Sequence, residues 1–220
     1  MPKNLPETLG ELIESGYTSR TIKEEIRSNL VQRISDGSEV FPGIVGFDDS
    51  VIPQIQNAIL AGQDIILLGE RGQAKSRIIR LLVELLDEYI PFVKGSEIND
   101  DPLNPISQYG IDVIASDKKN TEIDWLTKED RYAEKLATPD VSVADLIGEI
   151  DPIKVAEGRY LSDTMAIHYG MIPRTNRGLF CINELPDLTE RIQVSLFNLM
   201  QERDIPVSYT HLTLPTILLV

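Results

Sequence analysis

Hydrophobic positions along the chain fall into two patterns, helical stripes and short unbroken runs. Ile22, Ile26, Leu30, Val31 and Ile34 share one face of a helix expected within 7–34, and Thr21 with Glu24 fits a capping box. Asp36-Gly37 breaks that segment. Phe41-Pro42-Gly43-Ile44-Val45-Gly46 follows as an apolar connector rich in turn residues. A helix is predicted over 50–60, with Pro53 tolerated in its first turn. Ile65-Ile66-Leu67-Leu68 is a continuous apolar run, the pattern of a buried strand. A helix from about 75 to 89 follows, carrying Ile78, Ile79, Leu82, Leu85 and Leu86. The second such unit is Gly178-Leu179-Phe180-Cys181-Ile182, ending in Asn183-Glu184. Its helix, over about 186–203, has Leu188, Ile192, Leu196 and Leu199 on one face. Strand followed by helix, twice, predicts an α/β fold with a parallel sheet and flanking helices, preceded by an N-terminal helical segment.

Elsewhere the patterning fades. Pro102, Pro105 and many Asp and Asn residues predict a long irregular insertion over 94–140, and 144–150 reads as a short helical or extended piece. Residues 207–220 contain no charged side chain and follow neither period, so they read as an apolar edge strand and tail.

Composition narrows the function classes. The 220 residues, 42% apolar and 25% charged, suit a globular chain of one large domain or somewhat more. A net charge of −14 opposes a broad contact with nucleic acid, so protein partners are expected instead. No window approaches the roughly 18 uninterrupted apolar residues of a membrane span, and Met1-Pro2-Lys3-Asn4 does not open a secretory signal; a cytoplasmic protein is expected. A single cysteine, Cys181, with apolar neighbours, reads as a core residue in a reducing compartment. His168 and His211 lie far apart in sequence, and one cysteine cannot complete a zinc site with them.

The chemistry concentrates at Gly69-Glu70-Arg71-Gly72-Gln73-Ala74-Lys75-Ser76. Gly, four residues, Gly, Lys and Ser or Thr is the pattern of a phosphate loop, and only Ala74 departs from it. Glycines let the backbone curl so that N–H groups point at phosphate oxygens, and the helix start near Lys75 adds positive charge. Lys75 supplies a mobile cation for the outer phosphates, and the Ser76 hydroxyl suits Mg2+. A plain Gly-containing turn between strand and helix is the competing reading.

The strand ending in Asn183-Glu184 supplies the second half. Glu184 suits the base that activates a water, while Asn183 stands where a charged Asp usually helps hold the metal. A charge 4 Å from a cation is worth about 4 kcal/mol at an effective dielectric of 20, so its absence weakens metal binding. Alternatively, Glu184 is simply an acidic residue at the start of the next helix. The guanine-reading Asn-Lys-x-Asp motif and the kinase loops are absent. The expected fold class is therefore a P-loop NTPase, with ATP and Mg2+ as the expected cofactors.

In this order the motifs resemble AAA+ ATPases of the MoxR and magnesium-chelatase I-subunit group, over about residues 36–206. Phe41-Pro42-Gly43-Ile44-Val45-Gly46 is similar to the segment that packs on adenine there, which implies Ile44 and Val45 at the base. Residues 69–76 resemble the Walker A loop, in which Ala before the Lys is common among MoxR-like members. Asn99-Asp100-Asp101-Pro102, residues 145–151, 159–161 and 169–178 resemble the segments leading to Walker B. The resemblance implies a ring, by analogy a hexamer, in which a neighbouring subunit supplies an arginine in trans and the motor remodels or activates a client or adaptor protein. Two alternatives remain: the resemblance also allows the motor of a magnesium-insertion enzyme for protoporphyrin, and the neutral Asn183 favours a nucleotide-binding switch with little hydrolysis. The group's sensor strand, arginine finger and helical lid are not found after Pro206, and Ser208 to Thr216 resembles translated adapter sequence. The expected organisation is 1–35 as N-terminal helical segment, 36–206 as an incomplete AAA+ core and 207–220 as a non-native tail. That tail is expected to pack loosely or at a sheet edge, in a poorly soluble chain inactive on its own.

Overall fold

A computed structural model describes residues 5–70, 72–150, 167–202, 204–207, 210–213 and 216–219. Two helices open it, α1 (Leu9–Glu14) and α2 (Ile22–Ser35), where the apolar stripe suggested a single segment. The capping box explains the division. The Thr21 side chain accepts from Glu24 N and the Glu24 carboxylate accepts from Thr21 N at 2.9 Å, a reciprocal pair that can form only at a helix start.

Helix α3 (Val51–Leu60) leads to β1 (Ile65–Ile66) and, after the loop, to α4 (Lys75–Leu81). Both β1 and α4 are shorter than the apolar pattern predicts. Leu68 is already exposed, and Leu82–Leu85 tightens into a 3-10 turn. Side chains of α2 take the carbonyls of that turn: Asn29 Nδ2 donates to Leu85 O at 2.9 Å and an Arg33 guanidinium nitrogen donates to Glu84 O at 2.5 Å. With its terminal carbonyls satisfied from outside, the helix ends there.

Residues 94–140 are far more regular than expected. Strand β2 (Tyr89–Val93) is followed by α5 (Gln108–Asp117), β3 (Ile123–Thr127), which pairs antiparallel with β2, and β4 (Tyr132–Leu136). The turn-rich stretch between β2 and α5 is organised around the buried Asp100, whose carboxylate accepts from Ile106 N at 2.7 Å, Ser107 N at 2.8 Å and Ser96 Oγ at 2.6 Å. Then come α6 (Val143–Leu146), β5 (Gly148–Ile150) and β6 (Ile167–Tyr169), antiparallel to β5, and α7 (Met171–Arg174). The chain continues through β7 (Leu179–Asn183), α8 (Glu190–Glu202), the antiparallel pair β8 (Asp204–Val207) and β9 (Thr210–Thr213), and β10 (Thr216–Leu219).

The main sheet is parallel, in the order β1-β10-β7-β4. Strand β10 is therefore interior, pairing Ile65 with Leu218 on one side and Cys181 with Leu218 on the other. This corrects the expectation of an edge or loosely packed tail. Strands β1 and β7 stand one strand apart, and an apolar segment with extended backbone satisfies both of their facing ladders.

The faces of β7 alternate. Leu179 and Cys181 pack with Ile26 and Leu30 of α2, Ile55 of α3 and Ile78 and Ile79 of α4. Phe180 and Ile182 meet Leu188, Ile192, Leu196 and Leu199 on the opposite side. Helix α2 thus enters the same core as α4. Its Glu25 is buried there against Arg131, with guanidinium to carboxylate distances of 2.7 and 2.6 Å. Arg131 also donates to Arg177 O at 2.9 Å through Nε, and Glu25 accepts from Asp87 N at 2.6 Å.

Candidate functional site

The loop at 69–76 lies between β1 and α4, as the pattern requires. Gly72 has φ +84°, the left-handed region that only glycine enters freely, and Ala74 also sits there at φ 56°. This is the alternation of backbone hand that makes a curl of inward N–H groups. Ala74 can follow it, at a cost of about 1 kcal/mol. Lys75 Nζ turns into the curl and donates to Gly69 O and Glu70 O, each at 2.8 Å. Gln73 Oε1 accepts from Glu70 N at 3.1 Å, so the loop's own side chains hold its shape. Lys75 and Ser76 are half-buried at the start of α4. Arg71 lies outside the described residues, as do Asp151 and residues 159–161.

The connector at 41–46 is laid against α4. Gly43, at φ +72°, comes so near that a Cβ there would stand 2.6 Å from an Arg77 guanidinium nitrogen. Ile44 points into the core beside Ile78, whereas Val45 is 85% exposed. Of the two residues assigned to the base, Val45 is the one presented outward; Ile44 anchors the segment from below.

Strands β1 and β7 run parallel, so their C-terminal ends meet the same edge of the sheet, where ligands of open α/β sheets bind. Asn183 is the last residue of β7. Glu184, exposed, follows at φ 56° and begins the 3-10 turn Leu185–Asp187. The helix α8 itself starts only at Glu190, so Glu184 is not part of its first turn. Asn183 Nδ2 donates to the Glu134 carboxylate on β4, and Cys181 Sγ donates to Asn183 Oδ1 at 3.4 Å. Glu134 also accepts from Arg80 of α4 at 3.0 and 3.1 Å and from the Tyr132 hydroxyl at 2.9 Å.

The electrostatics follow from these partners. Burial acts to raise the Glu134 pKa, but the bonds from Arg80, Tyr132 and Asn183 outweigh it and hold the carboxyl below its ordinary value. Burial pushes the Cys181 thiol up to about 12, so it stays a protonated donor toward Asn183. Burial likewise raises the Tyr132 hydroxyl, with its neighbours Cys181 and Glu134 adding to the shift.

Arg80 and Glu134 escape a sequence reading. No alternation of apolar and polar residues marks Glu134, because Tyr132 and Glu134 share one face of a five-residue strand. His168 is exposed on β6, and among the described residues no group of three or more His, Cys, Asp or Glu gathers to hold a metal. Among those residues, too, no helix is long and apolar enough to cross a membrane.

No protein-family model matches the chain. It is 29% identical over 157 residues to the magnesium-chelatase subunit ChlI-1, chloroplastic, of Arabidopsis thaliana, a match that covers 69% of this chain and 34% of that protein. The ChlI-2 protein of the same plant is 30% identical over 157 residues, covering 69% and 35%. The ChlI subunit of Euglena gracilis is 27% identical over 162 residues, covering 69% and 42%. The chain spans between 34% and 42% of the length of these curated relatives. A chain of the BchI–BchD magnesium chelatase complex, from a single-particle cryo-EM reconstruction, overlays at a TM-score of 0.49 with 20% identity, over 91% of this chain and 52% of its own. By sequence, then, the chain is a homologue of the magnesium-chelatase I subunits, AAA+ ATPases, as the resemblance in its motifs implies.

Proposed function

We propose that the chain is the nucleotide-binding part of an ATP-hydrolysing AAA+ motor subunit of the MoxR and magnesium-chelatase kind, which remodels or activates a partner protein. The observation that carries this is Lys75, its ammonium held by two carbonyls inside the 69–76 curl, at the sheet edge that also bears Asn183 and Glu184. On this reading Lys75 exchanges the Gly69 and Glu70 carbonyls for outer phosphate oxygens, while the backbone N–H groups of the loop bind the inner ones. The donor types suit Mg2+: a Ser76 hydroxyl at the loop and a polar side chain at position 183, both neutral. When bound, that ion offsets charge on the phosphates. Glu184 orients and deprotonates the attacking water, and Val45 covers the base. Copies of the chain assemble as a ring, by resemblance a hexamer, with an arginine supplied in trans; the compartment is cytoplasmic.

The tightest test is a calorimetric titration with ATP. Charge-assisted hydrogen bonds contribute roughly 1.5–3 kcal/mol each, so Lys75→Ala should weaken binding by at least about tenfold. Equal affinities would sink the phosphate-loop assignment. A second reading, the motor of a magnesium-insertion enzyme, is favoured by the names of its relatives. Metal insertion into protoporphyrin, assayed with the partner subunits of such an enzyme, separates the two. A third reading, a nucleotide switch with little turnover, is favoured by the neutral Asn183. Glu184→Gln decides it: the motor reading expects ATP to be retained and hydrolysed far more slowly, because a base acts only as water attacks. A wild-type rate would place the base elsewhere.

A further inference from the structure

The metal end of this site is one charge short at position 183, yet a carboxylate lies in direct contact with that position. Glu134 accepts a hydrogen bond from Asn183 Nδ2. It stands on β4 in register with Cys181, so it faces the same side of the sheet as Cys181 and Asn183. Helix α4 covers that side, and Arg80 reaches Glu134 from it through two nitrogens. Arg80 lies one helical turn beyond Ser76, on the same face of α4. Ser76, Arg80, Glu134 and Asn183 therefore form a row from the phosphate loop to the β7–β4 pair.

We propose that Glu134 is the metal-facing carboxylate of this site, supplying from the neighbouring strand the charge that Asn183 lacks, and that Arg80 is its exchangeable counter-ion. The inference rests on the nucleotide-binding reading above. The bonding pattern carries it. Asn183 turns its amide nitrogen to Glu134 and its oxygen to the Cys181 thiol, so it positions the carboxylate rather than acting as the charged ligand. The four acceptor sites of Glu134 are filled by Asn183, Tyr132 and twice by Arg80. Asn183 and Tyr132 belong to the sheet, but the Arg80 side chain is 63% exposed against 22% for Glu134. A guanidinium so open to water is weakly held. A hydrated divalent cation brings twice its charge to the same carboxylate, and releasing Arg80 to solvent frees two acceptor sites for that cation's water.

The test is the Mg2+ dependence of nucleotide binding by the 220-residue chain, read with a fluorescent ATP analogue in EDTA and then at rising Mg2+. Glu134→Gln should raise the Mg2+ needed for half-maximal enhancement of binding, measured relative to its own affinity in EDTA, by about tenfold. Arg80→Gln should move that midpoint the other way, since it removes the competitor. Asn183→Asp in the Glu134→Gln background should restore the wild-type midpoint. A scaffolding role for the pair predicts no change in Mg2+ response, or shifts of the same sign in both single variants. Either result, with binding still dependent on Lys75, overturns this inference alone. Binding indifferent to Lys75 overturns the phosphate-loop reading and this inference with it.

Discussion

Two Arg–Glu pairs of identical chemistry hold this molecule, and their surroundings give them opposite roles. Arg131 and Glu25 have side chains 1% and 4% exposed, and both groups are further bonded to backbone at Arg177 O and Asp87 N. That pair ties α2 to the start of β4 and to the turn before β7. Arg80 and Glu134 make the same forked contact at the open edge of the sheet, with the guanidinium mostly in water. Burial turns one pair into a fixed joint, because neither charge can leave without stranding the other. Exposure leaves the other able to change partners.

The most severe way to break the contrast is to cut the buried pair. Glu25→Ala strands Arg131 in the core and should cost about 3–5 kcal/mol, read as a shift of the urea midpoint at constant slope. A loss near that of a surface pair would show that water reaches Arg131. Arg80→Ala should cost no more than about 1 kcal/mol by the same measurement, and that small difference should shrink further as salt is raised. The gentlest probe is pH. Because its partners hold the Glu134 pKa below the ordinary 4.5, its contribution is present above that value. It is lost as pH falls through the lowered pKa. The stability difference between wild type and Glu134→Gln should therefore be constant near neutrality and vanish in acid; a difference that grows in acid would reverse the assigned direction.

Contiguity decides how much of this was legible beforehand. The glycine-containing loop before α4, the capping box at Thr21 and the strand ending at Asn183 are each written in neighbouring residues, and each stands where the sequence puts it. Strand β4 was not legible because one face carries Tyr132 and Glu134, whose polar groups bond to each other and, through Glu134, to Asn183. A polar inward face erases the alternation by which a half-buried strand is recognised. The early end of α4 was hidden for a different reason: its apolar stripe continues, and what ends it is hydrogen bonding from Asn29 and Arg33 about fifty residues earlier in the chain. The interior place of Thr216–Leu219 depends on a slot formed by two strands distant in sequence, which no local pattern encodes.

That interposed strand also acts as a ruler. Neighbouring strands lie about 4.8 Å apart, so β10 sets the axes of β1 and β7 about 10 Å from one another. The spacing between the ends of β1 and β7 is thus fixed by backbone alone. Any extended apolar segment that fills the slot preserves it, whatever its side chains.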